Sequence, residues 1–288
     1  MEDREKVLYY CLGGGLGHIT RFTAFCNTLS IRPILITANK TVSSDYLNRF
    51  TSDVYCLPDN LKDDKQALRK WLLKKIKEIN PDRLLLDAFP AGVLGELADF
   101  PNELNSIKIE YISRILKLDT YNKRVEGELP KYSRIWQVEK VGKAQSVWLN
   151  NLARYNNIPI TELTLCYPES DVDFKINTPE NCWLIVHSGS DQELQELYEY
   201  AKDIALLENA SPNYVVVGQL SAAKFFQENV SYYNCYPVNN ILKKAARVIS
   251  AAGFNIMQQM SKIKEKHFVL PFNRPLDDQH LRLRLSKQ

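Results

Sequence analysis

The chain has 288 residues, 45% hydrophobic and 25% charged, with 37 Lys and Arg against 34 Asp and Glu. A domain usually holds about 100–200 residues, so two modest domains with real cores are expected, and the composition argues against disorder. A formal net charge of +3 gives no support to a nucleic-acid partner, because a protein that tracks phosphates carries a strong basic bias.

The opening MEDREKVLYYCLGGG puts charges of both signs ahead of a short apolar run broken by glycines. That is not the pattern of a secretory signal, and no stretch approaches the roughly 18 apolar residues of a membrane span. Val7 to Leu12 reads as a buried strand, and Gly13-Gly14-Gly15 as the tight loop after it. Thr20 to Leu29 carries apolar residues at helical spacing; Pro33 to Thr37 is a second strand and Val54 to Leu57 a weaker third. Lys65 to Ile79 is a helix with Leu68, Trp71, Leu72 and Ile76 on one face. Arg69, Lys70, Lys74 and Lys77 flank that face. They read first as a solvated face, and second as a weak peripheral contact with anionic lipid on the inner side of a membrane. Arg83 to Leu86 is a strand running into Asp87-Ala-Phe-Pro, and Ile107 to Ile112 is another.

Cys166 to Glu180 is polar and irregular, which suits a linker. The βα pattern then resumes. Trp183 to Val186 is a strand, Gln192 to Leu207 a helix, Tyr214 to Val217 a strand, Val238 to Ala246 a helix, Val248 to Ser250 a strand and His267 to Leu270 the last strand. Two tandem α/β arrays with parallel sheets are therefore expected. The six cysteines, Cys11, Cys26, Cys56, Cys166, Cys182 and Cys235, form no CxxC pair. Free thiols in a reducing, cytoplasmic setting follow, and no metal site.

Four segments carry candidate chemistry. Gly13 to His18 follows a strand and opens a helix, so its backbone can approach an anion. His18 stands where a GxGxxG fingerprint needs glycine, and no acidic residue ends the next strand, which argues against a nicotinamide or flavin cofactor. An imidazole at the mouth of such a loop can serve as a general base or be merely structural. Asp87 ends a parallel strand, where it can orient His18, take a proton itself or cap the next helix. His187 to Asp191 offers Ser188, Gly189 and Ser190 to phosphate oxygens, or a helix N-cap. Ala251 to Gln259, with Asp277-Asp278-Gln279, combines a helix N-terminus with amides and a carboxylate, the groups that diphosphates and sugar hydroxyls require. Ser250 to Gln279 is thus expected to bind the nucleotide of an activated sugar.

Together these segments resemble the MurG-like glycosyltransferases, whose fold is called GT-B. Gly13 to His18 is similar to their first glycine-rich loop, and Leu184 to Ser190 to the start of their second domain. Val248 to Gln279 (VISAAGFNIMQQM to HFVLPFNRPLDDQ) is similar to their donor-binding motif. Both halves are covered in order, without the stretch from 95 to 180. The resemblance implies two Rossmann-like domains facing a cleft, residues 1–165 on the acceptor side and 166–288 on the donor side. It implies an inverting, metal-independent, cofactor-free transfer from a nucleotide sugar, a UDP-linked one being expected, to an acceptor hydroxyl. Carried over, His18 is the base or an acceptor contact; Asp87, from its own place at a strand end, is expected as its partner or alternative. Gly253 and Phe254 fall to the donor phosphates; Gly15, Gly17, Ser188 to Ser190, Val238, Leu242 and Asn255 are expected, from their own placement, among the donor-binding residues. Asp278 and Gln279 fall to the transferred sugar, and Gln259 stands where the family commonly has the Glu that holds the ribose. The amide at 259 and the short stub Arg282 to Gln288 depart from the family pattern. Two further readings stay open: a sugar-nucleotide 2-epimerase and a nucleotide-sugar-binding protein without catalysis.

Overall fold

The computed structural model describes residues 5–13, 15–169, 181–218 and 229–288, the side chain of Glu103 excepted. Gly14 and residues 170–180 of the expected linker lie outside the described residues. The chain divides into two compact units, Met1–Cys166 with Arg274–Asp278, and Tyr167–Asn273 with Gln279–Gln288. The main boundary lies between Cys166 and Tyr167, and Arg274–Asp278 go with the first unit in addition.

The first unit is built on seven strands: β1 (Val7–Cys11), β2 (Ile34–Thr37), β3 (Asp53–Cys56), β4 (Arg83–Asp87), β5 (Lys108–Ser113), β6 (Tyr132–Gln137) and β7 (Ile160–Glu162). Their order is β3-β2-β1-β4-β5-β6-β7, and every neighbouring pair is parallel. Central parallel strands are covered on both faces, so they read as unbroken apolar runs; β1 (VLYYC) is buried at all five positions. Helix α1 (Leu16–Leu29) covers it, burying Ile19, Phe22 and Phe25. The β1 residue Tyr9 packs edge-on to Phe22 and Phe25, with ring centroids 5.0 and 5.8 Å away.

Helices α2 (Ser44–Leu47), α3 (Lys65–Ile79), α4 (Leu118–Asn122) and α5 (Lys143–Asn156) complete the unit. In α3, Asp64 caps the first turn and Leu68, Leu72, Ile76 and Ile79 are buried. The basic face of α3 departs from the lipid-contact expectation at Arg69, whose guanidinium donates inward to the carbonyls of Glu96 (2.8 Å), Ala98 and Asp99 (2.7 Å). Lys74 pairs with Glu78 at 3.8 Å.

The β4–β5 crossover holds a tyrosine-pinned loop. The Tyr121 hydroxyl accepts the Ala91 N–H and donates to the Gly92 carbonyl, both at 2.8 Å. Tyr132 donates to the Pro90 carbonyl at 2.7 Å, and Tyr10 donates to the buried Glu96 carboxyl. Gly92 has φ of 82°, and a Cβ there would lie 2.2 Å from the Glu96 carboxyl, so only glycine fits.

The second unit has strands β8 (Trp183–Val186), β9 (Tyr214–Val217), β10 (Val230–Tyr233), β11 (Arg247–Ala251) and β12 (His267–Leu270) in the order β10-β9-β8-β11-β12, again parallel. Successive side chains alternate faces. Trp183, Ile185, Val216 and Ile249 pack under α6 (Asp191–Leu207), while Leu184, Val215, Val217 and Val248 pack with Leu242 and Met260. Helices α7 (Asn239–Lys244), α8 (Phe254–Gln259) and α9 (Gln279–Ser286) follow. Among the described residues no helix is long and apolar enough to cross a membrane.

Candidate functional site

In open parallel sheets, ligands bind outside the carboxyl ends of the strands where the strand order reverses. In the first unit that point lies between β1 and β4, which pair directly. The loop after β1 leads into His18, and Asp87 is the last residue of β4. Sequence-distant residues are thus brought to one crevice by topology.

The His18 Nδ1 lies 2.5 Å from Asp87 Oδ2. Arg21, one helical turn along α1, donates from Nε to Asp87 Oδ1 at 2.5 Å and from Nη2 to Oδ2 at 2.6 Å. The Tyr9 hydroxyl adds a bond to Oδ1 at 3.0 Å. The Asp87 side chain has no exposed surface. With its oxygens occupied in this way and no exposed surface of its own, the Asp87 carboxylate is placed to orient His18. Arg21 is the residue that the sequence reading misses.

Charge states follow from these contacts. Burial alone would raise the Asp87 carboxyl, but the Arg21 guanidinium and the bonds from His18 and Arg21 hold it well below the usual carboxylate range. An ionised carboxylate only accepts, so Nδ1 of His18 carries the proton. Burial lowers the His18 pKa; Asp87 opposes this, and the charges of Arg21 and Arg114 reinforce it. The imidazole is therefore neutral at pH 7, and its Nε2 is a bare acceptor. The 3.1 Å approach of Arg21 Nη2 to Nδ1 is then a contact between two donors' heavy atoms, not a donated bond. Nε2 has no hydrogen-bond partner among the described residues. It lies over Gly13, where a Cβ would stand 2.0 Å from Cδ2 and 2.2 Å from Nε2. Gly15 is the N-cap of α1 and has no side chain to cap with; Gly17 is exposed in its first turn.

Arg274–Asp278 also sit in this unit. Leu276 packs with Ala88, Phe89, Leu116 and Tyr121, and Asp277 binds Arg114 Nη1 at 2.5 Å. Asp278, expected beside the transferred sugar, is half-buried next to Asp277 in this unit.

In the second unit the order reverses between β8 and β11. Ser188, Gly189 and Ser190 follow β8. Ser190 is the N-cap of α6 and forms a reciprocal capping box with Glu193. Glu193 Oε2 also lies 2.9 Å from His187 Nε2, and a Cβ on Gly189 would collide with both side chains. The protein's own Glu193 carboxylate thus stands at this helix N-terminus, which Ser190 caps.

Gly253 follows β11 and caps α8; a Cβ there would meet only Ile256, at 3.8 Å. The protein's own packing does not require glycine at 253. Phe254 is buried, and Asn255 accepts from the Tyr167 hydroxyl at 3.1 Å. The α9 residue Arg282, 4% exposed, donates to the Ala252 carbonyl at 2.9 Å and so puts a cation beside this turn.

Gln259 belongs to an amide chain with a fixed direction. A carbonyl only accepts, so Asn239 gives its amide N–H to the Pro168 carbonyl at 2.6 Å. Its Oδ1 then takes the Gln259 amide at 2.5 Å, so Gln259 is oriented with Oε1 as its remaining acceptor. Two expectations are corrected. Leu242 is a core residue, 3% exposed, with no side-chain surface for a base; Val238, half-buried, packs against the same core as the N-cap of α7. Gln279, 4% exposed, turns its Oε1 inward to accept the Phe272 N–H at 2.9 Å. Among the described residues no three His, Cys, Asp or Glu side chains come together as a metal-binding set.

Two parallel sheets, each with its crevice where the strand order reverses, define a pair of Rossmann-like units in tandem, the GT-B plan. No protein-family model and no curated protein matches the chain. Solved structures do. It is similar to a glycotransferase of kitacinnamycin, with TM-score 0.64 and 15% identity, over 99% of this chain and 84% of that one. It is similar to the UDP-N-acetylglucosamine 2-epimerase from Rickettsia bellii, with TM-score 0.58 and 12% identity, over 96% and 80% of the two chains. It is also similar to S. aureus MnaA in a UDP co-structure, with TM-score 0.61 and 12% identity, over 93% and 79%. At these identities the likeness is one of fold.

Proposed function

We propose that this chain is a nucleotide-sugar-dependent glycosyltransferase of the MurG-like kind, inverting and metal-independent, with a UDP-linked donor. The observation that carries the reading is the neutral His18, held by Asp87 through Nδ1 with Nε2 bare at the reversal of strand order. An acceptor hydroxyl gives its proton to Nε2, and its oxygen attacks the anomeric carbon. The bond from that carbon to the diphosphate breaks, and the diphosphate leaves with the electron pair. The imidazolium formed is stabilised by Asp87. In the second unit, the open backbone at Gly253 and the Arg282 cation beside it suit the diphosphate charge, and Gln259 Oε1 suits a ribose hydroxyl. A cytoplasmic place is part of this reading and agrees with six free thiols.

Calorimetric titration with UDP-, GDP- and dTDP-sugars tests the donor site; no binding to any of them overturns the reading. His18→Ala is expected to lower turnover about 10²–10⁴-fold with donor affinity nearly unchanged, and unchanged turnover removes His18 from the base role. The fold likeness to a 2-epimerase supports a second reading: incubating UDP-sugar without acceptor and analysing the sugar stereochemistry separates the two.

A further inference from the structure

One loop beside the His18 crevice is fastened to an unusual degree. Residues 114–117 follow β5, next to β4 in the sheet. Glu139, buried just after β6, accepts the Ile115 N–H at 2.7 Å. Gln145, buried in α5, accepts the Leu116 N–H at 3.0 Å and donates to the Arg114 carbonyl at 2.7 Å. The Arg274–Asp278 segment closes the other side: Lys117 N–H donates to the Leu276 carbonyl at 3.0 Å, and Lys117 Nζ to the Arg274 carbonyl at 2.8 Å.

All of this fixes Arg114. Its side chain is 9% exposed, and Nη1 donates to Asp277 Oδ1 at 2.5 Å and to the Ile115 carbonyl at 3.1 Å. Its Cζ lies 6.0 Å from the centre of the Phe89 ring, whose centre is 5.8 Å from that of His18. A buried guanidinium locked at both backbone and head group is a fixed charge, not a mobile surface arginine. We propose that Arg114, beside the same Phe89 ring as His18, is a positioning residue of the His18 site: it supplies a fixed positive charge that adds to burial in disfavouring the imidazolium, and Asp277 holds and partly offsets that charge. The consequence for turnover rests on His18 being the base; the coupling itself does not.

The charged and titratable groups facing His18 are Asp87 from β4 and Arg21 from α1, with Tyr9 from β1 through Asp87. Arg114 follows β5, and Asp277 acts through Arg114. Arg21 is paired bidentately with Asp87, so Arg114 is the cation that can be changed without breaking the Asp87 network. The test is an NMR titration of the His18 imidazole in the full chain, which needs no substrate. Its failure is thereby distinguished from a failure of the transfer reading.

In Arg114→Gln the His18 midpoint is expected to rise by about half a pH unit, the size of one unit charge across a partly screened site. Arg114→Lys should stay near the wild type. Asp277→Asn should move the midpoint the opposite way, downward, because Arg114 keeps its bond to the Ile115 carbonyl and loses its counter-charge. A merely structural role would shift both variants in one direction. An unmoved midpoint in Arg114→Gln, or a rise in Asp277→Asn, overturns the proposal. If Arg114→Gln does not fold, the direction of the Asp277→Asn shift decides.

Discussion

At the residue scale, the tightest constraint on the imidazole comes from a glycine. The ring edge that carries Nε2 lies directly on Gly13, where a Cβ would stand 2.0 Å from Cδ2. Bringing those atoms to contact distance moves the ring or the loop by more than an ångström, and the Asp87 bond at 2.5 Å is what such a shift breaks. Gly13→Ala is therefore expected to act on His18 far more than on the fold. Overpacking of this kind costs about 1–3 kcal/mol, whereas turnover should fall toward the level of His18→Ala. Urea unfolding and turnover measured on the same sample check this; a variant that keeps wild-type turnover would show that the ring has another seat. The residue scale also explains why Arg21 escapes a reading of the sequence. It sits in the apolar run Ile19 to Cys26, where a lone cation reads as a surface residue. Yet its spacing of three from His18 places both on one helical face, and in the fold both turn onto Asp87.

At the element scale, the parallel sheets bring the chemistry together, and the loops after their strands aim it. The stretch from Ala88 to Asp99 depends on tyrosine hydroxyls, Tyr121 above all, since it serves the Ala91 N–H and the Gly92 carbonyl at once. Tyr121→Phe removes both partners, and a buried orphaned polar group costs about 1–3 kcal/mol. A loss of about 2 kcal/mol in urea unfolding is expected. It should come with faster amide exchange in residues 89–95 and little change in β1 or α3; a uniform rise in exchange would mean that the loop is not a separate unit of stability.

A sequence reading finds the central, apolar strands such as β1, β4, β8 and β11, and of the edge strands it finds β3 and β12. The strands it misses are β6, β7 and β10, at or next to a sheet edge. β6 has an exposed Ser133 and a half-exposed Arg134, β7 is three residues long, and α5 carries Asn150, Asn151 and the 93% exposed Tyr155. Edge elements keep little apolar periodicity, so nothing in the local pattern announces them. The site shows the same limit. Each loop that follows a central strand can be located from the sequence, and so can His18 and Asp87. The direction of a side chain cannot, which is why Leu242 and Gln279 point into the protein. The return of Arg274–Asp278 to the first unit has no local signature either, because it rests on contacts with residues more than 150 positions away.

At the scale of the whole molecule, each unit carries a histidine held neutral by burial, and this sets the response to acid. In the first unit burial lowers the His18 pKa; in the second, His267 is lowered to about 4 by burial at the start of β12, with its Nε2 2.8 Å from Ser250 Oγ. A folded pKa below the unfolded value of about 6.5 means that, in the window between them, the unfolded chain binds a proton that the folded chain refuses. Stability therefore falls as the pH drops from about 6.5 to about 4. Asp87 works in a separate window: its folded pKa is depressed, so its contribution is present at neutral pH and is lost only in stronger acid. Between pH 7 and pH 4.5 Glu96, whose carboxyl pKa is raised by burial, works in the opposite direction as the pH falls, so the histidine contribution is read by difference against a variant. His267→Gln removes the titrating group of the second unit and keeps a polar side chain near Ser250. The wild type is expected to lose about 2 kcal/mol more than this variant over that interval. Urea unfolding followed by hydrogen exchange in β8, β11 and β12 peptides reads the second unit alone. Parallel losses in the two proteins would mean that His267 is not the group that acid must charge.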